Sequence, residues 1–320
     1  MESEKTISAK DYARIDLHLH LDGSLSLASV KELAAMQGID IPEKDEELLD
    51  VLRVGRDCRD LNEYLEKFEF PLSLLQTAEA VETAFYNLKE ELKAQGLAYA
   101  EIRFAPQLHT RKGLTQTEVV EAAVKGMRRS DLPAGLILCC MRGTENHGQN
   151  LETVRIAGKY LGRGVCAADL AGAEALYPTG DFGDLFALAG TLGVPYTIHA
   201  GEADGTESIY AALELGARRI GHGVRSVEDP ALLRRLAREG VTLELCPTSN
   251  LHTHIFERIE GYPLRKLMDA GVRVTINTDN MMVSGITLRE EFQKLIDAFS
   301  LEESELETLL KNAEDAAFTE

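Results

Sequence analysis

The chain alternates short β-rich runs with helix-length segments eight times over, and that rhythm constrains its fold more than any other feature. The runs are Arg14–Leu19, Leu97–Ala105, Ala134–Met141 and Val165–Leu170, then Pro195–Ala200, Arg219–Val224, Val241–Cys246 and Arg273–Thr278. Most are continuously apolar rather than alternating, as parallel strands buried on both faces require. The helical patterns between them carry ordinary punctuation. Ala78–Gln95 stops at Gly96, Glu207–Leu215 stops at Gly216, and Asp229-Pro230 opens Ala231–Glu239 before Gly240. Thr117–Arg128 follows a Thr-Gln-Thr-Glu start. Eight such units without a low-complexity linker predict an α/β chain folded as a (β/α)8 TIM barrel, one domain over 1–320. A doubly wound open sheet is the alternative, but it has fewer strands and a glycine-rich nucleotide loop, and no GxGxxG follows a strand.

Two segments break the rhythm. Roughly 75 residues separate the first and second strands, with helical patterns at Ser26–Gln37 and Asp60–Leu75. Extra helices after strand one sit over the catalytic face of a barrel and shape its pocket. At the C-terminus, Leu288–Phe299 and Glu303–Ala317 read as two more helices packed outside the barrel, with Ser300 and Glu303 at capping-box spacing.

Composition limits the partners. A formal net charge of -19 excludes nucleic acid and anionic membranes, which attract basic surfaces, but not an uncharged small molecule. The five cysteines are odd in number and lack CxxC spacing, so they read as free thiols in a reducing compartment. The polar start lacks an apolar signal region, and no apolar run reaches the roughly 18 residues of a membrane span. A cytoplasmic protein is expected, and a monomer and a homo-oligomer fit equally well.

Active sites in barrels are built from the C-terminal ends of strands and the loops that follow. Those places hold metal-ligand chemistry repeatedly. Strand one ends in His18-Leu19-His20, whose imidazoles, two residues apart, share one face. Strand five ends in His199-Ala200-Gly201-Glu202, strand six carries Gly221-His222-Gly223, and strand eight ends in Asn277-Thr278-Asp279-Asn280. Three imidazoles and a carboxylate suit zinc, so His18, His20, His199 and Asp279 are expected to hold one Zn2+ per chain. Glu202 and His222 remain as acid and base. A second HxH, His252-Thr253-His254, follows the Pro247–Asn250 loop and reads as pocket rim rather than ligand. His109 and His147 lie in the loops after strands two and three and are weaker candidates for substrate contact.

In order and spacing, HLHLDGSL (His18–Leu25), HAGE (His199–Glu202), GHG (Gly221–Gly223), CPTSN (Cys246–Asn250) and NTDN (Asn277–Asn280) resemble the adenosine deaminase family. EIRFAPQLHT after strand two and DLAGAE after strand four look like its bacterial members. The resemblance covers nearly the whole chain. It implies a mononuclear zinc enzyme of the amidohydrolase superfamily that deaminates a purine nucleoside. It makes the four ligands those named above, Glu202 the proton donor to purine N1, and His222 the group that orients and deprotonates the attacking water, helped by Asp279. It puts the Gly172 N–H at purine N3 and Asp22, with His20 near it, at the ribose 5′-hydroxyl. Tyr64, Leu65 and Phe68 resemble the apolar wall over the sugar, a pattern that also suits plain core.

One position departs. The family's commonest pattern has a second Asp after the metal-binding one, protonated to donate to purine N7, and here it is Asn280, whose amide donates without a borrowed proton. Relatives with Asn at the position of Asp22 tend to act on nucleotides, and those with Glu there on adenine or 5′-modified adenosine. Asp22 therefore favours adenosine, and 2′-deoxyadenosine with it; AMP, adenine or a 5′-modified adenosine is the alternative. Asp22 also suits a simple turn cap through Gly23-Ser24. A catalytically silent barrel would have lost a ligand or Glu202. An amide or lactone hydrolase would favour a second metal position over HAGE and DLAG.

Overall fold

A computed structural model of the chain describes residues 8–55 and 58–319. Eight parallel strands form its centre: β1 (Ile15–His20), β2 (Tyr99–Phe104), β3 (Ala134–Met141), β4 (Val165–Ala171), β5 (Thr197–Ala200), β6 (Arg219–His222), β7 (Thr242–Leu245) and β8 (Arg273–Ile276). They pair in sequence order as β1 to β4 and β5 to β8. The two sheets meet through parallel bridges at Ala168–Tyr196 and Leu19–Asp279, which close the ring. The second seam matters for function. His20 N donates to Asp279 O at 2.7 Å and Asp279 N to His18 O at 2.8 Å, so closing the barrel aligns three of the expected ligands. Asp16 secures this seam from inside, accepting from the Thr278 hydroxyl at 2.6 Å and from His18 N at 3.1 Å.

Helices flank the strands, and the β1–β2 connection carries five: α1 (Leu27–Gln37), α2 (Asp45–Leu52), α3 (Leu61–Glu66), α4 (Glu69–Leu74) and α5 (Ala78–Gln95). Ser26, Asp60 and Thr77 cap α1, α3 and α5 by accepting from a backbone N–H three residues on. The pattern over Asp60–Leu75 predicts one helix, but the chain breaks between α3 and α4. Pro71 explains the break: in a continuous helix its ring would meet the Lys67 carbonyl, and it has no N–H to offer. Beyond β2 come α6 (Gln116–Arg128), α7 (His147–Tyr160), α8 (Gly183–Leu192) and α9 (Thr206–Glu214). After β6 they continue with α10 (Pro230–Glu239), α11 (Pro247–His252), α12 (Leu264–Asp269), α13 (Met281–Ser284), α14 (Leu288–Phe299) and α15 (Glu303–Ala316). The expected Ser300/Glu303 capping box is displaced. Ser300 ends α14 in the left-handed region, and the box is made by Glu302 with Glu305. Nor does the C-terminal part stay wholly outside the barrel. Ala316 O accepts from buried Arg219 at 3.0 Å, and the Phe318 ring covers that guanidinium at 4.0 Å.

The apolar core fills the layer between strands and helices, with residues such as Ile102, Leu136, Ile198, Leu243 and Val274 fully buried. Helix α6 approaches α5 closely at Gly126, where a Cβ would stand 2.2 Å from the Glu82 carbonyl oxygen. Gly126→Ala is expected to destabilise the protein by about 1–3 kcal/mol through overpacking, read as a lower denaturant midpoint at unchanged slope.

Candidate active site

Inside the ring the strands present charge rather than apolar layers. Arg103 on β2 is fully buried and donates to Asp169 Oδ2 on β4 at 2.9 Å, to Glu244 Oε2 on β7 at 2.9 Å and to the Leu17 carbonyl at 2.6 Å. Arg219 on β6 holds the other Glu244 oxygen at 2.7 Å and Glu101 at 2.6 Å. The two carboxylates that Arg103 grips then orient imidazoles above them. His18 Nδ1 lies 2.8 Å from Glu244 and His199 Nδ1 lies 3.0 Å from Asp169. A carboxylate at Nδ1 fixes that nitrogen as the protonated one and turns Nε2 outward as a lone pair.

One ligand atom each from His18, His20, His199 and Asp279 lies within 4.8 Å of the others. The donor set fits a metal. His18 Nε2 is buried and has no hydrogen-bond partner among the described residues, and the Nε2 atoms of His20 and His199 face each other at 3.3 Å. Burial, opposed by the charge of Asp279 but helped by the neighbouring His199 and His18, holds the His20 pKa well below the ordinary histidine value, so its lone pair is free. Burial works against the charged form of Asp279, but the surrounding His18, His222 and His20 prevail and hold its pKa well below the usual carboxylate range. Asp279 and His222 both have φ of 61°, a strained left-handed conformation for residues with a Cβ and one that clusters at functional sites.

The cluster forms the floor of a cavity of about 210 Å³ at the C-terminal mouth of the barrel. His20, Asp22, Gly172, His199, Glu202, His222, Asp279 and Asn280 line it, with Tyr64, Leu65 and Phe68 from the β1–β2 insertion among its apolar walls. His18 lies beneath, fully buried. Every site residue expected from the sequence is therefore in or directly under one cavity. Glu202 Oε2 stands 3.5 Å from His222 Nε2. Burial first, then the charges of Asp279 and Glu174, pushes the Glu202 carboxyl well above its usual range and so favours the neutral acid. Asp22 is raised to about 6 by burial, and its Oδ1 has no hydrogen-bond partner among the described residues. The Tyr64 hydroxyl, in contrast, is engaged with Ser284 at 2.8 Å.

The weaker candidates fall elsewhere. His109 is buried with its Nδ1 on the Leu75 carbonyl at 3.0 Å, and His147 faces Asp184 on the surface. His252 ends α11, and His254 lines a groove beside the cavity mouth rather than its rim. Sequence reading missed the supporting residues Arg103, Asp169, Glu244 and Asn250; the last lies 3.1 Å from His222 Nδ1. A signal existed for three of them. A charge inside a continuously apolar strand, as in AEIRFA, AADLAG or TLELC, has nowhere to point but the barrel interior.

A closed barrel with three imidazoles and a carboxylate at its C-terminal mouth is the arrangement a metal-dependent hydrolase requires. The chain belongs to the adenosine deaminase family, whose model matches residues 13–320. The adenosine deaminase of Haemophilus ducreyi is 48% identical over 316 residues, spanning 96% of this chain and 92% of that relative. Among solved structures, the adenine deaminase of Arthrobacter aurescens is similar with a TM-score of 0.85 at 27% identity, over 96% of this chain and 94% of that one. An amidohydrolase from Burkholderia ambifaria with bound Zn has a TM-score of 0.86 at 21% identity, over 100% of this chain and 91% of that one, a likeness of fold. Among the described residues no helix is long and apolar enough to cross a membrane.

Proposed function

We propose that this enzyme hydrolyses adenosine, and 2′-deoxyadenosine with it, to the inosine nucleoside and ammonia in the cytoplasm, using one zinc ion held by His18, His20, His199 and Asp279. The observation that carries the reading is a buried acid, Glu202, sharing one cavity with that ligand set. When bound, zinc supplies a water acidic enough to act as nucleophile at neutral pH.

The chain's own residues do the rest. The walls of Tyr64, Leu65 and Phe68 keep bulk water from the sugar and strengthen every polar contact inside. Asp22 accepts from the 5′-hydroxyl with its unpartnered oxygen, and a negative charge there repels a 5′-phosphate. Gly172 N–H meets N3, and Asn280 donates to N7. Glu202 gives its proton to N1, which makes C6 electrophilic. His222, neutral because burial holds its pKa well below the ordinary value, orients the attacking water and takes its proton. The 6-amino group takes that proton from His222 and leaves as ammonia, while the C6 oxygen loses its remaining proton, which restores the acid at Glu202.

Metal analysis tests the site. About one zinc per chain, activity lost to a chelator and regained with zinc, is expected; a fully active metal-free protein contradicts it. Asn280→Asp tests the recognition of N7. The new carboxyl donates only when protonated, so the variant should keep activity at low pH and lose it as pH rises, while the native amide adds no such dependence. An identical pH–rate curve would mean that residue 280 does not touch the substrate.

A further inference from the structure

Beyond the effect of its charge on Glu202, Glu174 has none of the roles above, yet it is only 1% exposed and its carboxylate has an unusual set of partners. It stands in the loop after β4, two residues beyond Gly172. It reaches the neighbouring loop and accepts from four successive backbone N–H groups in the turn after β5: Gly201 at 2.6 Å, Glu202 at 3.0 Å, Ala203 at 2.8 Å and Asp204 at 3.1 Å. The Ser208 hydroxyl of α9 donates to the same carboxylate. No Lys or Arg forms an ion pair with it among the described residues, so the aligned amides and the hydroxyl carry its stabilisation, as in an anion-binding nest turned inward on the protein's own side chain. The Arg142 guanidinium, whose charge bears on Glu174, is occupied with the His199 carbonyl at 2.6 Å, the Tyr177 carbonyl at 2.6 Å and Thr179 at 2.9 Å.

We propose that Glu174 is a positioning residue that assembles the turn carrying Glu202 and fixes its distance from Gly172, so that the groups meeting purine N1 and N3 are held as one unit. The inference rests on Glu202 being the proton donor. From the β6 side the turn is held by Arg225, whose backbone N–H donates to the Gly201 carbonyl at 3.2 Å and whose guanidinium donates to the Glu202 carbonyl at 3.0 Å, so among the described residues the direct hydrogen bonds tying it to the β4 loop are those of Glu174. A carboxylate is needed. Oε1 receives two donors and Oε2 three, so a glutamine must aim an NH2 at donors whichever way it turns.

The test is Glu174→Gln, read two ways on the metal-loaded protein. Hydrogen exchange of the amides at 201–204 should quicken by about tenfold or more while β7 amides keep their native rates. Exchange does not depend on the reaction assigned to the site, so it tests the hold of Glu174 separately from the function. The turnover number should fall about a hundredfold, the size of effect a misplacement of about 1 Å produces, with KM for adenosine within about threefold of native. In a Glu202→Gln background the same substitution should cost less than about threefold further, because the residue it positions is already gone. Equal losses in both backgrounds, or native exchange at 201–204, would overturn the proposal. Native activity in Glu202→Gln alone would instead overturn the assignment of the acid. Should Glu174→Gln not fold, Ser208→Ala removes one donor only, and faster exchange at 201–204 with a several-fold lower kcat is expected; native values for both would overturn the proposal.

Discussion

Glu202→Gln is expected to lower kcat by about 10²–10⁴-fold while leaving zinc content, thermal midpoint and inosine affinity near native. The amide has the shape of the acid and can still hydrogen-bond at N1, but it cannot hand over a proton, so the loss falls on the chemical step. The native acid exists because burial and the charges of Asp279 and Glu174 disfavour the carboxylate. A raised carboxyl pKa means the proton donor is present below that value and lost as pH rises through it. Native activity should therefore decline on the alkaline side, and the residual activity of the variant should lack that decline. Equal kcat in the two proteins would remove Glu202 from the mechanism.

Arg103→Leu should be as damaging, for a different reason. Among the described residues it removes the only cation that touches both Asp169 and Glu244, leaving each carboxylate in the barrel interior with fewer donors. Breaking a buried pair costs about 3–5 kcal/mol because the uncompensated charge stays behind. Since the same two carboxylates orient His199 and His18, zinc affinity should also fall, by about 10–100-fold. Arg103→Lys should lie between native and leucine, because an ammonium keeps the charge but lacks the planar fork that reaches both acids and the Leu17 carbonyl. A leucine variant with native stability and full zinc would show that the network does not support the site.

Both predictions concern features of unequal legibility in the sequence. The strands, their order and the ligand-bearing ends were readable because buried parallel strands are continuous apolar runs and the site sits at their C-terminal ends. Local backbone chemistry was less readable. Pro71 splits a segment whose apolar spacing suits one helix, and Ser300 moves a cap by two residues by turning left-handed. The supporting shell was least readable of all, although its charges stood out within their strands. Which acid meets which imidazole is decided by the tilt and register of strands far apart in sequence, as when Glu244 on β7 meets His18 on β1. Glu174 shows the same gap, since its partners are backbone amides that no side-chain motif announces.

The central claim, a zinc enzyme that deaminates adenosine, is tested most directly by following ultraviolet absorbance with adenosine, 2′-deoxyadenosine, AMP and adenine side by side on one metal-loaded preparation. Both nucleosides should be converted rapidly, with AMP and adenine slower by about tenfold or more in kcat/KM. Faster turnover of AMP or of adenine than of adenosine would contradict the reading of Asp22 and, with it, the substrate.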